Sequence, residues 1–220
     1  MMQITIIGGH GKIALLAAPL LVEAGHEVRS IIRNPDHEAD VAATGAKPVV
    51  ADVETLDVAS LVGLFQGADA VVWSAGAGGG DASRTLAVDR DAAIRTVEAA
   101  ETAGARRYVM VSYFGAGPDH GVPADSSFRA YADAKSDADA AIEASSLDWV
   151  ILRPSALTLD APTGAVDVLQ LDASLEPGEI ARADVAALIA AVIERPALTK
   201  AIVEVNGGST PIGEALDRLV

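Results

Sequence analysis

The residues best suited to acid–base chemistry are Tyr131 and Lys135, which stand four positions apart in a pattern typical of a helix. This spacing places the phenol and the ammonium on one helix face. A tyrosine with an ordinary pKa of about 10 is a poor acid–base group at neutral pH, but a nearby ammonium favours the phenolate and lowers that pKa. Ser112, which follows an apolar run, could then hold a substrate oxygen. The alternative is an amphipathic helix in which Tyr131 packs and Lys135 is solvated.

A glycine-rich turn near the N-terminus has the pattern of an anion-binding site. The apolar run at residues 4–7 leads into Gly8 and Gly11, and a helical pattern follows at residues 13–24. Glycines without Cβ atoms would let a pyrophosphate approach the free amides at the start of that helix. Ala14 would still allow close packing of helix and strand. A strand-to-helix turn with no ligand is the alternative.

The next strand ends in Arg33, at the position where a carboxylate would bind the ribose 2′-hydroxyl of NAD. A guanidinium there can instead form charge-assisted, bidentate bonds with a 2′-phosphate, so we expect NADP rather than NAD. Lys12 could add a second positive charge. The alternative is a solvated surface arginine.

Two later segments also follow apolar runs. Asp52 could accept a hydrogen bond from an adenine amino group, although a turn-forming or N-capping aspartate explains it equally well. The segment Ser74-Ala75-Gly76 is small enough for a ribose or a nicotinamide to lie against its backbone. Taken alone, it would be an ordinary loop.

These residues require a fold that brings the ends of several strands together. Apolar runs alternate with helical patterns, and strands are predicted near residues 3–7, 27–32, 48–50, 69–73, 107–111 and 148–152. The alternation predicts an α/β fold with a doubly wound parallel sheet. The carboxyl ends of its strands share one edge, where ligands bind in such folds.

We expect residues 1–220 to form a single NAD(P)-binding domain. After residue 154 the pattern changes, and residues 160–179 have little periodicity apart from a short apolar run at 166–171. Residues 155–220 are therefore expected to contribute a small, loop-rich substrate lobe and a final strand and helix. Thr210 is predicted to N-cap that last helix.

Composition excludes several classes of protein and site. A formal net charge of −15 argues against a nucleic-acid binder or a partner of anionic membranes. The absence of cysteine excludes disulfides and thiolate catalysis. The four histidines show no pairing with each other or with carboxylates at ligand spacing, so no metal is proposed. Without a long apolar stretch or an evident signal peptide, we expect a cytoplasmic monomer or homodimer that acts on a small molecule.

The chain resembles the atypical short-chain dehydrogenase/reductases of the NmrA-like, NAD(P)H-binding group. The resemblance runs nearly end to end and is carried by residues 8–14 (GGHGKIA), 33–35 (RNP), 51–52 (AD), 88–89 (VD), 109–112 (VMVS), 131–135 (YADAK), 147–155 (LDWVILRPS) and 180–186 (IARADVA). His10 stands where the group commonly has threonine or alanine. Ala14 stands where the group commonly has glycine.

The resemblance implies a Rossmann fold and a set of site residues. The cofactor would lie along Gly8, Gly9, His10, Gly11, Lys12, Ile13, Arg33, Asp52, Val53, Ser74, Ala75 and Gly76. Tyr131 would be the proton donor, Lys135 would hold the nicotinamide ribose and lower the tyrosine pKa, and Pro154 and Ser155 would border the nicotinamide.

Residues and resemblance together predict an NADPH-dependent reductase of a small carbonyl or quinone-like compound. One alternative is a regulatory protein that senses NADP(H) without turnover, as some members of this group do. Another is a sugar epimerase or dehydratase that acts through transient oxidation.

Overall fold

The computed structural model describes residues 1–78, 81–169 and 176–220. Its strands are β1 Gln3–Ile7, β2 Glu27–Ile32, β3 Lys47–Val50, β4 Ala70–Trp73, β5 Arg107–Val111, β6 Asp148–Pro154, β7 Ala156–Thr158, β8 Ala165–Leu169, β9 Glu179–Ala181, β10 Ala201–Gly207 and β11 Thr210–Pro211. Its helices are α1 Lys12–Glu23, α2 Glu38–Ala43, α3 Val58–Phe65, α4 Ala82–Thr85, α5 Ala93–Ala103, α6 Arg129–Glu143, α7 Arg182–Ile193 and α8 Ile212–Asp217. A 3-10 turn covers Pro35–His37, and a π-helical turn at Leu86–Ala92 joins α4 to α5.

Nine strands form one mostly parallel sheet in the order β11-β8-β10-β6-β5-β4-β1-β2-β3. At its centre β1 lies between β2 and β4, with Ile4 opposite Val28 on one side and Ala70 on the other. The topology confirms the predicted doubly wound Rossmann fold. All six predicted strands are present, each within two residues of its expected bounds.

The core lies on both faces of the sheet because most residues of the central strands are apolar and buried. Ile4 and Ile6 of β1 pack in the layer with α1 and α7, whereas Ile7 packs with Trp73 in the layer with α3, α5 and α6. Small residues of α1, such as Ala14, allow the helix to lie close to the sheet. Two buried faces explain why the strands are apolar runs rather than alternating patterns.

The C-terminal part adds structure that the sequence pattern does not predict. β8 occupies part of the apolar run at 166–171 and pairs antiparallel with β10, while β7 and β9 form a separate two-stranded parallel sheet. Residues 170–175 of the expected loop-rich segment lie outside the described residues.

The prediction that Thr210 N-caps the last helix is wrong. Thr210 lies in β11 opposite Val166, and α8 begins two residues later, at Ile212, without a side-chain cap. The Ile212 amide donates to the Gly164 carbonyl at 3.0 Å. Pairing with the segment around β8 thus satisfies backbone groups that a cap would otherwise serve.

None of the helices in the three described ranges combines the length and the apolar character that a membrane span needs.

Candidate functional site

The turn between β1 and α1 has room only for glycine at two positions. Gly8 has a φ of +80°, and a Cβ built on it would lie 2.6 Å from Cα of Ala75. A Cβ on Gly9 would lie 2.5 Å from Cβ of Ser30. Gly11 precedes α1, and no side chain caps that helix. The turn therefore brings backbone against the ends of β2 and β4 and leaves the first amides of α1 without a side-chain partner.

A cavity of about 300 Å³ opens beside this turn, at the carboxyl ends of β1 to β4. Ten of the predicted cofactor-binding residues line it: Gly8, Gly9, His10, Gly11, Arg33, Asp52, Val53, Ser74, Ala75 and Gly76. Sequence reasoning missed the other lining residues, which are Ile7, Ile31, Ile32, Asn34, His37, Ala51, Glu54, Arg84 and Val88. Several of these are direct neighbours of predicted residues, whereas Arg84 had no local signal.

The remaining predicted cofactor residues do not line this cavity. Lys12 is exposed at the start of α1, and Ile13 is buried in the core. Pro154 and Ser155 are buried at the end of β6, and Lys135 is buried on α6. The structure thus divides the predicted site between a cavity on one side of β4 and a group of buried residues on the other.

One wall of the cavity carries opposite charges. Glu54 lies between two guanidinium groups, with its Oε2 3.6 Å from Nη1 of Arg33 and 3.7 Å from Nε of Arg84. Asp52 accepts the Glu54 amide at 3.1 Å, as a turn-forming aspartate would, and also lines the cavity. An acid from the loop after β3 therefore stands beside Arg33, although none stands directly at the end of β2 in the sequence.

Three of the four histidines pair with carboxylates that are distant in the sequence. His10 bonds Asp40 at 2.9 Å and stacks on His37, with ring centroids 3.6 Å apart. His26 and His120 bond the carboxylates Glu194 and Asp133, respectively. Sequence spacing does not reveal these pairs because the partners are close only in the fold. Each pair has a single carboxylate, and no group of three or more His, Asp or Glu side chains in the described part of the chain could hold a metal.

Lys135 is 1% exposed, so it is not the solvated lysine of an ordinary amphipathic helix. Its Nζ donates to the Val111 carbonyl at 3.0 Å and to Sδ of Met110 at 3.1 Å. Burial lowers the pKa of Lys135, and the carboxylates of Asp139 and Asp89 oppose that effect.

The pKa of Tyr131 is raised, not lowered. Burial is the main cause, and the nearby Asp89 carboxylate adds to it. The expectation that Lys135 lowers this pKa is therefore not met in the structure. At neutral pH Tyr131 holds its proton.

Ser112 is tied to a buried ion pair that sequence reasoning missed. Its hydroxyl donates to Oδ2 of Asp139 at 2.9 Å, and the same oxygen accepts from Nε and Nη2 of Arg153 at 3.1 and 3.0 Å. Burial raises the pKa of Asp139, while Lys135 and Arg153 oppose the shift. Asp139 lies four residues after Lys135 on α6, so helical spacing was an available signal.

Asp89 connects the cavity with these buried residues. Its Oδ2 accepts the Ala77 amide at 3.1 Å, and a Cβ built on Gly76 would lie 3.3 Å from its Oδ1. The same carboxylate influences the pKa of Tyr131 and Lys135. A π-helical turn carries it, and such turns are frequent at functional sites.

Two other aromatic rings pack beside that of Tyr131. Its ring centroid lies 5.5 Å from that of Tyr113 and 5.1 Å from that of Phe128, and the last two are 5.2 Å apart. Phe128 is 43% exposed. The Tyr113 hydroxyl and the Ser155 hydroxyl are both buried without a hydrogen-bond partner among the described residues. We call Tyr113, Phe128 and Tyr131 the aromatic trio.

Comparison with known proteins agrees with this geometry. The family profile described as NAD(P)H-binding matches residues 8–196. The Bacillus subtilis protein named "Uncharacterized sugar epimerase YhfK" is 33% identical over 220 residues, which cover 99% of this chain and 100% of that protein.

Two solved structures share the fold over nearly their whole length. A Bacillus halodurans protein provisionally named an NAD-dependent epimerase/dehydratase is 32% identical, with a TM-score of 0.91 and full coverage of both chains. The oxidoreductase ylbE from Lactococcus lactis is 26% identical, with a TM-score of 0.87 and coverage of 99% of this chain and 96% of that one. The chain therefore belongs to the NAD(P)H-binding family, and its fold is the one found in Rossmann proteins of the epimerase/dehydratase and oxidoreductase type.

Proposed function

We propose that the protein is an NADPH-dependent oxidoreductase that reduces a small carbonyl or quinone-like substrate. The observation that carries the proposal is the glycine turn, where side chains at Gly8 and Gly9 would collide with Ala75 and Ser30. A turn packed this closely brings main-chain amides to the edge of a cavity, which is what pyrophosphate binding requires.

The residues present fit a nicotinamide dinucleotide. Gly8 to Gly11 and the start of α1 would hold the pyrophosphate, and the ends of β2 and β3 would hold the adenosine. Ser74 to Gly76 would continue the site toward Asp89 and Tyr131. The bound cofactor would supply the hydride.

Two guanidinium groups on the cavity wall favour NADP over NAD. Arg33 and Arg84 both line the cavity and share one carboxylate, Glu54. A 2′-phosphate could form charge-assisted bonds with these side chains. Arg33→Ala should therefore weaken NADPH binding by about tenfold or more in calorimetry and change NADH binding little. Equal losses for the two nucleotides would contradict this assignment.

Proton transfer is assigned to the Oη atom of Tyr131. Because burial and Asp89 raise its pKa, Tyr131 is a phenol at neutral pH, the form that can donate a proton to a reduced carbonyl oxygen. The carboxylate of Asp139 adds to this rise in the Tyr131 pKa, and Lys135 interacts electrostatically with Asp139 and Asp89. Ser112 is bonded to Asp139, so its role in the proposal is to hold that network in place.

The aromatic trio supports a quinone-like substrate among the carbonyl compounds. Only 4% of the chain is aromatic, yet three such rings meet at the proposed proton donor, and Phe128 remains partly exposed. Flat conjugated rings pack well against such side chains.

The decisive experiment follows NADPH oxidation over a panel of quinones, aldehydes and ketones. Wild-type protein should turn over at least one class, and Tyr131→Phe should lower kcat by about 10²- to 10⁴-fold without weakening NADPH binding. Tight NADPH binding without any turnover would contradict the enzyme and favour a nucleotide sensor.

A sugar epimerase is the second candidate, favoured by the name of the Bacillus subtilis relative. Transient oxidation and return of the hydride at one sugar carbon would leave the total cofactor unchanged. Incubation with nucleotide sugars and NAD or NADP, followed by NMR analysis of the sugar, separates this candidate from a reductase.

A further inference from the structure

We infer that Glu54 competes with the 2′-phosphate of NADP for Arg33 and Arg84, and that Arg84 is the second phosphate ligand. The inference rests on the proposed function and assigns cofactor selection to residues from three separate segments. These segments are the loops after β2 and β3 and the helix α4, which follows β4.

The distances show that the two guanidinium groups hold Glu54 loosely. Oε2 of Glu54 lies 3.6 Å from Arg33 and 3.7 Å from Arg84, which is longer than the roughly 2.7 to 2.9 Å of a charge-assisted hydrogen bond. The Arg33 side chain is 55% exposed and that of Arg84 is 38% exposed, so water weakens both ion pairs. A stronger anion can therefore take the place of the carboxylate.

The backbone around Glu54 is held more firmly than its side chain. Arg95 donates to the carbonyls of Val53, Glu54 and Leu56 at 2.9 to 3.3 Å, and Asp52 accepts the Glu54 amide. The loop therefore has little freedom to withdraw. Glu54 would leave the guanidinium groups by rotation of its side chain alone.

Arg84 is already oriented toward the cavity. Its Nη1 donates to the Ala77 carbonyl at 2.8 Å, which fixes the guanidinium and leaves Nε beside Glu54. Asp81 caps α4 and positions the turn that carries Arg84. An oriented guanidinium loses less side-chain entropy when it binds an anion.

A phosphate monoester is the anion best matched to this pair. At neutral pH it carries a charge of about −1.5 to −2 and three acceptor oxygens, against one charge and two oxygens for Glu54. Because both guanidinium groups face the same point, they bind the more highly charged phosphate more strongly than the carboxylate. Glu54 also repels the phosphate, so the carboxylate lowers NADPH affinity while it keeps the guanidinium groups paired.

A ribose-binding role for Glu54 would predict a different effect of its removal on nucleotide binding. In sites that prefer NAD, an acid accepts hydrogen bonds from the adenosine ribose. If Glu54 did this, its removal would weaken NADH binding and would not improve NADPH binding.

The test is calorimetric titration of NADPH and NADH into wild type, Glu54→Gln and Arg84→Ala, with circular dichroism to verify the fold. Glu54→Gln should tighten NADPH binding by about twofold to fivefold and leave NADH binding unchanged. Arg84→Ala should weaken NADPH binding by about tenfold. Glu23→Gln, at the far end of α1, is the control because it removes the same charge away from the cavity.

Each of the other possible outcomes would contradict one part of the inference. Weaker NADH binding by Glu54→Gln would make the acid a ribose ligand, and unchanged NADPH affinity would make it a bystander. If Arg84→Ala bound NADPH as wild type does, the second phosphate ligand would be refuted. Failure of the wild type to bind either nucleotide would instead refute the proposed function.

Discussion

Ser112 donates its hydroxyl to Asp139 across 2.9 Å, although the two residues are 27 positions apart. The bond links the end of β5 to the middle of α6, in a place where both side chains are buried. The residue that was expected to hold a substrate oxygen is thus part of an internal network with Arg153.

This network should be important for stability. Asp139→Ala removes the carboxylate from Arg153, whose side chain is only 4% exposed, and leaves a buried charge unpaired. We expect the free energy of unfolding to fall by about 3 to 5 kcal/mol. Ser112→Ala should cost about 1 kcal/mol because it removes one hydrogen bond. Urea denaturation measures both.

Glu214→Ala is the control, since its partner Arg218 is exposed and such pairs contribute at most about 1 kcal/mol. An equal loss in Asp139→Ala and Glu214→Ala would contradict the prediction.

Asp89 should give stability a defined pH dependence. Burial raises its pKa above the ordinary value of 3.8, while Lys135, the Ala77 amide and Arg84 oppose the shift. Between 3.8 and the raised pKa the native state binds more protons than the unfolded chain, so the Asp89 contribution to the free energy of unfolding falls as pH rises.

Comparison with Asp89→Asn isolates this effect. As pH rises from 3.8 through the raised pKa, wild type should lose stability relative to the variant, in urea titrations at a series of pH values. Asp57→Asn is the control. Hydrogen bonds from Ser60 lower the pKa of Asp57, so its contribution is lost only as pH falls below 3.8. If the wild type instead gained stability relative to Asp89→Asn as pH rises, the raised pKa of Asp89 would be refuted.

The glycine turn offers a test with an internal control. Gly8→Ala places a methyl group about 2.6 Å from Cα of Ala75, so the backbone must shift and nucleotide binding should be lost in calorimetry. Gly25→Ala has a similar positive φ of +86°, but nothing lies within 4 Å of the added atom. That variant should lose about 1 kcal/mol of stability and keep its affinity. Unchanged nucleotide affinity in Gly8→Ala would show that the turn is not the binding site.

Two tyrosine hydroxyls should differ in their effect on stability. The Tyr113 hydroxyl is buried without a partner in the described ranges, whereas that of Tyr108 bonds Thr96 at 2.8 Å. Tyr113→Phe should therefore leave the free energy of unfolding unchanged or raise it, and Tyr108→Phe should lower it by about 1 kcal/mol. If the Tyr113 hydroxyl binds the substrate, Tyr113→Phe also raises the KM for the compound that undergoes reduction. A large stability loss in Tyr113→Phe would reveal a structural bond instead.

The sequence predicts the central sheet because each inner strand is an apolar run between helical patterns. Gly8 and Gly11 are recognisable for a similar reason, since the chemistry of the turn depends on residues adjacent in the chain. The cavity wall is different. Glu54, from the loop after β3, and Arg84, from α4, meet near Arg33, and no local pattern connects them.

The sequence also gives no local signal for the strand at this edge of the sheet. A two-residue strand such as β11 has no periodicity, and Thr210 followed by Pro211 has the pattern of a helix start. Only the presence of β8 beside it decides the outcome. In the same way, spacing on α6 brought Tyr131 and Lys135 together, but their pKa directions depend on burial and on Asp89, which lies 42 positions before Tyr131.

The order of strands separates the cavity from the C-terminal region of the chain. The cavity is built at the ends of β1 to β4, whereas the strands formed by residues beyond 154 extend the sheet on the opposite side of β6 or pair apart from it. The residues that line the cavity all fall between Ile7 and Val88, and no described residue beyond 154 is among them. Substitutions among the C-terminal strands therefore change the protein without replacing a single residue of the cavity lining.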